Sequence, residues 1–229
     1  MSFGRTCAIV PVKTLDRAKR RLSSVLPDAG RQQLMLTMLG DVLTALAGVE
    51  EIDGVVVVTP DARVVALAQQ RGATVVPEPG AEELNAAIAS GIAYASSRGA
   101  RQVLVLPADV PLITPVELRS LIRSRGAQPG VTLAPSQDGN GTNGLLVSPP
   151  NAIAPCYGPG SYLQHLSQAM ARRVDVNVVH LEGLGRDIDE PGDLTWLLAH
   201  AGAGGRYAFL ERHMAVSGTL QPDPQGNHQ

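Results

Sequence analysis

Hydrophobic positions follow two alternating patterns along the first half of the chain. Continuous apolar runs predict strands that are covered on both faces, whereas apolar residues spaced three and four apart predict amphipathic helices. The predicted strands cover 6–12, 54–61, 74–78 and 102–109. The predicted helices that follow them cover 30–49, 62–72, 83–99 and 114–126. This alternation is typical of a parallel, doubly wound sheet.

The pattern changes after residue 130. Residues 131–150 predict two strands around a turn rich in Gly, Asn and Asp, and they precede a helix, a strand and a closing helix over 159–173, 174–181 and 190–201. We therefore predict a single-domain, Rossmann-like α/β fold over 1–201, with a mostly parallel central sheet and helices on both faces. The polar, Gly-rich residues 202–229 are predicted to be a C-terminal extension with little to bury, and about 217–229 to be disordered.

Composition narrows the class of protein. The chain has 229 residues, two cysteines and a formal net charge of −2. Two cysteines exclude a disulfide framework, and the small net charge gives no general attraction to nucleic acid or to a membrane surface. No apolar run approaches the ~20 residues of a membrane span. We expect a soluble, cytoplasmic protein that has no nucleic-acid or membrane partner.

Basic residues cluster after the first predicted strand, in the segment PVKTLDRAKRRL (11–22). Lys13, Lys19 and Arg21 lie there, together with Arg17 and Arg20. Cations at the carboxyl end of a strand can neutralise a triphosphate, whereas the alternative is a solvated, basic start of a helix. Because the positive end of the helix dipole disfavours cations, the pattern favours phosphate binding.

A carboxylate follows the fourth predicted strand, in the segment QVLVLPADVPLIT (102–114). Asp109 is a candidate metal ligand, and the alternative is a turn or capping residue. Thr114 is itself a good N-cap for the next helix, so Asp109 is not required for capping. Pro107 and Pro111 restrict the backbone on both sides of Asp109.

Two further carboxylates occur in the segment GRDIDEPGDL (185–194). In an extended chain Asp187 and Asp189 point to one face and Ile188 to the other. Two neighbouring carboxylates repel each other unless a cation lies between them. Asp189 or Glu190 could instead cap the helix that Pro191 begins. With Asp109, this pair predicts an oxygen-ligand Mg²⁺ site suited to nucleotidyl transfer.

Two glycine-rich segments complete the candidate sites. GNGTNG (139–144) is not a dinucleotide-binding motif, because a strand-like segment follows it where that motif requires a helix. Thr142 within it, and Ser161 at the start of the helix after YGPG (157–160), could hold an anion. The five histidines are scattered without metal-ligand spacing, so we expect them to be structural or surface residues.

Taken in order, these segments resemble the CofC or FbiD family of guanylyltransferases in coenzyme F-420 biosynthesis. The resemblance covers about residues 8–198. The matching segments are PVKTLDRAKRRL, MLGDVLTAL, VVTPD, LNAAI, LPADVPL, GTN, YGPGS and DIDEPGDL.

The resemblance implies transfer of GMP from GTP to 2-phospho-L-lactate, phosphoenolpyruvate or 3-phospho-D-glycerate. It implies Mg²⁺ on Asp109, Asp187 and Asp189, and catalytic roles for Asp109 and for the cations Lys13, Lys19 and Arg21. It places the GTP phosphates on Lys13, Lys19 and Arg21, the base near Asn85, and the phosphate of the acid near Thr142, Gly158 and Ser161. Relatives often form dimers, so a homodimer is a further expectation. The alternatives are a molybdenum-cofactor-type nucleotidyltransferase and a non-catalytic nucleotide-binding module.

Overall fold

A computed structural model describes residues 6–77, 83–126, 129–202 and 205–216. Within these residues the strands form one seven-stranded sheet in the order β3-β2-β1-β4-β6-β5-β7. The strands are β1 Thr6–Pro11, β2 Ile52–Thr59, β3 Thr74–Pro77, β4 Gln102–Val105, β5 Gly130–Pro135, β6 Thr142–Ser148 and β7 Asp175–Val178. The predicted tail at about 217–229 lies outside the described residues.

The helices follow the predicted order. They are α1 Asp28–Ala47, α2 Ala62–Gln70, α3 Leu84–Ser97, α4 Pro115–Arg123, α5 Ser161–Ala171, α6 Glu182–Gly185, α7 Pro191–Ala201 and α8 Ala208–Val216. Thr114 caps α4 in a capping box with Glu117, as its sequence indicates. The short α6 was not predicted, because four residues carry too little periodicity to be recognised.

The sheet separates two hydrophobic cores, and the side chains of each strand alternate between them. In β1, Ala8 and Val10 face one core, whereas Cys7 and Ile9 face the other. The first core contains side chains from α1, α2, α4, α7 and α8. The second contains side chains from α3 and α5. The predicted α/β sheet with helices on both faces is therefore confirmed.

The segment after Gly202 contradicts the expectation that it has little to bury. Tyr207, Phe209, Leu210 and Met214 are all buried in the first core. Phe209, Leu210 and Met214 lie on α8, which packs against α7 and α1, and Tyr207 directly precedes that helix. The polar and glycine-rich composition of 202–229 as a whole obscured this short helix, because the apolar residues are concentrated in 207–216.

Strand direction brings the candidate residues to one edge of the sheet. Neighbouring strands β1, β2, β3 and β4 are parallel, so their carboxyl ends share that edge. β6 runs antiparallel to both β4 and β5. Its first residue, Thr142, therefore lies at the same edge as the carboxyl end of β4.

Among the described helices, none has the length and apolar character needed to cross a bilayer.

Candidate active site

A cavity of about 680 Å³ opens at this edge of the sheet. The lining includes the loop after β1, the loop after β4, the start of β6, the segment that leads into α5, and the segment between α6 and α7. Residues of α1, α3 and the loop after β2 complete it. Most of the candidate residues lie on its wall, although they are far apart in sequence. They are Lys13, Lys19, Asp109, Thr142, Gly158, Ser161, Asp187 and Asp189.

The basic segment after β1 does not begin a helix as the solvated alternative required. It forms two short 3-10 turns, Leu15–Arg17 and Arg20–Leu22. Lys19 lies between them with φ of +49°, a left-handed conformation that side-chain-bearing residues adopt infrequently. Such conformations persist where the surrounding structure compensates for their strain, and often do so at functional sites. The turn aims the Lys19 side chain into the protein.

Asp61 fastens this loop to the sheet. Its carboxylate accepts hydrogen bonds from the backbone amide of Leu15, at 2.9 Å, and from that of Arg63, at 2.9 Å. The Arg63 guanidinium also donates to Asp61 and to Asp16 on the loop, at 2.7 and 2.8 Å. The hydrogen bond from Arg63 holds the pKa of Asp61 far below its usual range. Asp61 therefore anchors the loop as a buried carboxylate.

Replacement of Asp61 by Asn should lower the free energy of unfolding by about 1–3 kcal/mol. The reason is that the buried side chain at 61 loses the negative charge to which Arg63 and the Leu15 amide donate hydrogen bonds. Urea denaturation measures this change. Affinity for the predicted triphosphate ligand should fall at the same time, because Asp61 holds the loop that carries Lys13 and Lys19. Glu50→Gln, an exposed change away from the cavity, is the control. Unchanged stability in Asp61→Asn would contradict the anchoring role.

Lys19 forms ion pairs with two of the three candidate metal carboxylates. Its side chain is 5% exposed, and Nζ donates to Asp109 and, at 2.6 Å, to Oδ1 of Asp189. Burial by itself lowers the pKa of Lys19, but the charges of Asp109 and Asp189 and their hydrogen bonds outweigh that effect and raise it. Lys19 therefore remains a cation between two carboxylates.

Backbone pairing joins the two carboxylate segments. The amide of Ile188 donates to the carbonyl of Asp109 at 3.1 Å, and the Ile188 side chain is fully buried in the first core. Asp187 and Asp189 accordingly face the cavity from either side of Ile188. The predicted alternation of these three residues is confirmed. The long-range contact to Asp109 brings together segments about eighty residues apart.

Capping does not occupy the Asp189 carboxylate. Oδ2 of Asp193 accepts from the amides of Asp189 and Glu190 at the start of α7, at 3.0 and 2.9 Å. Of the two alternatives, capping by Asp189 is therefore wrong and capping by Glu190 is confirmed, because Glu190 is the N-cap of α7 in a capping box with Asp193. Asp193 was not considered from the sequence, although its position three residues after Glu190 is the spacing of a capping box.

Asp187 lies in a less polar environment. Burial raises the pKa of its carboxyl group, and the neighbouring charge of Asp109 raises it further. Asn143 opposes the shift by donating from Nδ2 to Oδ1 of Asp187 at 3.2 Å, while the same amide donates to the carbonyl of Leu184 at 3.0 Å. Asn143 is a positioning residue that the sequence reasoning missed, although it lies next to Thr142 in the GTN segment.

Two hydroxyl groups and a histidine form a buried chain on the cavity wall. Oγ1 of Thr142 lies 3.0 Å from Nδ1 of His165 and 3.4 Å from Oγ of Ser161. All three residues are buried. The sequence pattern places His165 among the scattered histidines, since nothing in its spacing connects it to Thr142. Helix α5, on which both Ser161 and His165 lie, creates the arrangement.

Two further predicted residues, Arg21 and Asn85, do not face the cavity as directly as the others. Arg21 is exposed, pairs with Glu190 at 3.6 Å and lies outside the set of described residues that line the cavity. Asn85 exchanges two hydrogen bonds with the backbone of Tyr157, at 2.9 and 2.7 Å, so its amide braces the segment that carries Gly158. Contacts of Arg21 with a triphosphate and of Asn85 with a base stay predictions.

The donor chemistry of the acidic cluster fits a hard divalent cation. Oδ1 of Asp109 is buried and accepts no hydrogen bond from the described part of the chain. Carboxylate oxygens are the ligands that Mg²⁺ prefers. As they stand, no three Asp, Glu, His or Cys side chains among the described residues are arranged to hold a metal ion. Lys19 instead lies against Asp109 and Asp189, so the metal site stays a prediction.

Sequence comparison decides the family. The chain matches the family model described as guanylyl transferase, CofC like, over residues 6–226. This protein belongs to the CofC family. The CofC-type chain is 39% identical over 199 residues to phosphoenolpyruvate guanylyltransferase of Sphaerobacter thermophilus, with 87% of this chain and 95% of the relative covered.

Other relatives of this CofC-type protein carry related names. It is 41% identical to phosphoenolpyruvate guanylyltransferase of Rubrobacter xylanophilus, which covers 85% of this chain and 94% of the relative. It is 32% identical to 2-phospho-L-lactate guanylyltransferase of Methanothermobacter thermautotrophicus, with 86% and 85% covered. The protein is therefore an enzyme, a nucleotidyltransferase of the guanylyltransferase type.

Solved structures support the fold of this CofC-type enzyme. A nucleotidyl transferase from Methanothermobacter has a TM-score of 0.63 at 17% identity and covers 86% of this chain and 96% of its own. The synthetase that makes CMP-2-keto-3-deoxy-manno-octonic acid, solved with CTP, has a TM-score of 0.58 at 14% identity and covers 85% and 97%. At these identities the similarity establishes a nucleotidyltransferase-like fold.

Proposed function

We propose that this enzyme transfers GMP from GTP to a phosphorylated three-carbon acid and releases pyrophosphate, as a step in coenzyme F-420 biosynthesis. The observation that carries the proposal is the composition of the cavity at the carboxyl edge of the sheet. Cationic groups, hydroxyl groups and an acidic cluster line the same wall. One substrate with a triphosphate and another with a phosphate and a carboxylate need such a combination.

The chemistry needs no nucleophile from the protein. A phosphate oxygen of the acid attacks the α-phosphorus of GTP, a new O–P bond forms, and the bond to the β-phosphate oxygen breaks as pyrophosphate leaves. The phosphate of the acid is already ionised, so the work of the protein is to position both substrates and to neutralise their charge. No buried thiol or hydroxyl has to be activated for this reaction.

Each set of residues has a separate task in this mechanism. Lys13 and Lys19, on the loop that Asp61 anchors, contact the phosphates of GTP. Thr142, Ser161 and the backbone near Gly158 hold the acid. Asp109, Asp187 and Asp189 would hold Mg²⁺, which, when bound, supplies positive charge for the reacting phosphates. Asn143 orients Asp187 within that set.

Among the acids, we propose phosphoenolpyruvate as the preferred one. Two relatives at 39% and 41% identity carry that substrate in their names, whereas the relative named for 2-phospho-L-lactate is 32% identical. 3-Phospho-D-glycerate is the third acid to compare. All three present a phosphate and a carboxylate on a three-carbon frame, so discrimination among them depends on small differences in the wall near Thr142 and Ser161.

A product assay tests the proposal. The protein is incubated with MgCl₂, GTP and each acid in turn, pyrophosphate release is followed, and the products are analysed by mass spectrometry. We expect a guanosine-diphosphate-linked acid, formed fastest with phosphoenolpyruvate. Parallel reactions with ATP, CTP and UTP test the base. A product only with a molybdopterin acceptor supports the molybdenum-cofactor alternative, and GTP binding without pyrophosphate release supports a binding module.

A further inference from the structure

His165 lies behind the two hydroxyl groups of the cavity wall. It is fully buried on α5, and its ring meets the edge of the Tyr157 ring at a centroid distance of 5.0 Å. Nδ1 lies 3.0 Å from Oγ1 of Thr142, and Nε2 accepts a hydrogen bond from the backbone amide of Cys156 at 3.0 Å. Both ring nitrogens therefore have a polar neighbour.

These two neighbours determine which nitrogen carries the proton. A backbone amide can only donate, so Nε2 must present its lone pair, and the neutral ring carries its hydrogen on Nδ1. Burial lowers the pKa of His165 to about 4, so the ring is neutral near pH 7. Interaction with the backbone of Ser161 only partly opposes this shift. In this tautomer Nδ1 is a donor.

The tautomer gives the hydroxyl groups a direction. Since Nδ1 carries a hydrogen, Oγ1 of Thr142 cannot donate to it and accepts instead. Thr142 and Ser161 then have two hydroxyl hydrogens, and at most one of them can lie in the 3.4 Å contact between the two oxygens. At least one hydrogen is left for another acceptor, and both residues line the cavity from which such an acceptor could come. The pair is thereby set to meet an acceptor, such as a phosphate or carboxylate oxygen.

We propose that His165 is a positioning residue that holds the Thr142 and Ser161 hydroxyl groups as hydrogen-bond donors toward the anionic group of the acid substrate. This inference rests on the proposed function, because it assigns these hydroxyl groups to the acid. His165 acts through Thr142 and does not touch the substrate itself. Its loss should weaken binding of the acid and leave binding of GTP unchanged.

Two substitutions of nearly the same shape isolate the donor. His165→Asn keeps an amide hydrogen close to the position of Nδ1–H, whereas His165→Leu places a methyl group there. Both remove the acceptor of the Cys156 amide, so their difference near Thr142 is the amide donor. On its other branch the Asn variant carries a carbonyl oxygen where the Leu variant carries a second methyl group. We expect the Leu variant to raise the KM for phosphoenolpyruvate about tenfold, and the Asn variant to stay within about threefold of wild type. The KM for GTP should change less than about twofold in either.

A double-mutant cycle separates positioning from a structural role. Thr142→Val removes the hydroxyl group and keeps the β-branched shape that suits β6. If His165 acts through that hydroxyl, His165→Leu should raise the KM of the Thr142→Val enzyme less than about twofold further, because the two changes remove one interaction. A structural effect of His165 would instead multiply with that of Thr142→Val and would overturn the inference.

Thermal melting and circular dichroism establish that each variant is folded. If the Leu variant does not fold, His165→Gln takes its place, since its longer amide reaches the position of Nε2 and leaves Thr142 without a donor. The KM for phosphoenolpyruvate could be equal in the Asn variant and in the Leu or Gln variant while the wild-type enzyme still forms product. That result would overturn the role of His165 and leave the proposed function intact. Absence of product from wild type with every acid would overturn the proposed function, and this inference with it.

Discussion

Asp109→Asn should lower turnover by about two to three orders of magnitude, the range seen when one preorganised electrostatic contact to the reacting groups is removed. The substitution keeps the shape of the side chain and removes its charge. Asp109 interacts with three other residues of the site. Its carboxylate pairs with Lys19, its charge raises the pKa of Asp187, and its carbonyl accepts a hydrogen bond from the amide of Ile188. Pyrophosphate release at saturating GTP and acid measures the loss.

The same variant should stay folded. Lys19 retains Asp189 as a partner, and Asp187 loses a neighbouring like charge, so the two effects oppose each other. We expect the free energy of unfolding to change by less than about 2 kcal/mol. Glu51→Gln, a surface change at the amino end of β2, is the matched control and should leave turnover unaltered. Turnover within about tenfold of wild type in Asp109→Asn would contradict the assignment.

Lys19→Met should have the second largest effect, and it should be visible in stability as well as in activity. Removal of the ammonium group leaves Asp109 and Asp189 without their shared cation. Breaking a fully buried ion pair costs about 3–5 kcal/mol. Because the Asp109 and Asp189 side chains are 22% and 44% exposed, we expect a smaller loss of about 2 kcal/mol, measured by urea denaturation in EDTA.

Added Mg²⁺ should then compensate for the lost lysine. In Lys19→Met a divalent cation meets the carboxylates without competition from an ammonium group, so MgCl₂ should raise its melting temperature more than that of wild type. Turnover should still fall by about a hundredfold or more, because the cation that we propose for the GTP phosphates is lost. Lys13→Met removes an equal charge from an exposed side chain and should leave stability unchanged. Equal Mg²⁺ shifts in wild type and Lys19→Met would rule out a shared site.

Local patterns determined much of the architecture. The apolar runs and helical stripes predicted the observed order of the strands and of the helices α1–α5 and α7, because the periodicity of a strand or helix is encoded in residues that are neighbours along the chain. The same reasoning located Asp109 after β4 and the basic residues after β1. It also oriented Asp187 and Asp189 to one face, with Ile188 in the core, since alternation is a property of three successive residues.

The helix α8 shows where composition misled the sequence reasoning. A window dominated by Gly and polar residues predicts little burial, yet four apolar side chains complete the core beside α1 and α7. Whether a marginally amphipathic segment becomes a helix depends on the surface available to it. That surface is built by residues from distant parts of the chain.

By itself, then, the sequence determined the fold class, the order of its elements and the kinds of chemical group at the ends of the strands. Only the tertiary structure decided how these groups meet. The antiparallel direction of β6 places Thr142 at the edge of the sheet where the cavity opens. The left-handed turn at Lys19 brings its ammonium group between Asp109 and Asp189, and α5 places His165 behind Thr142. The physical reason is range: residue patterns act over a few neighbours, whereas these contacts depend on how whole elements pack.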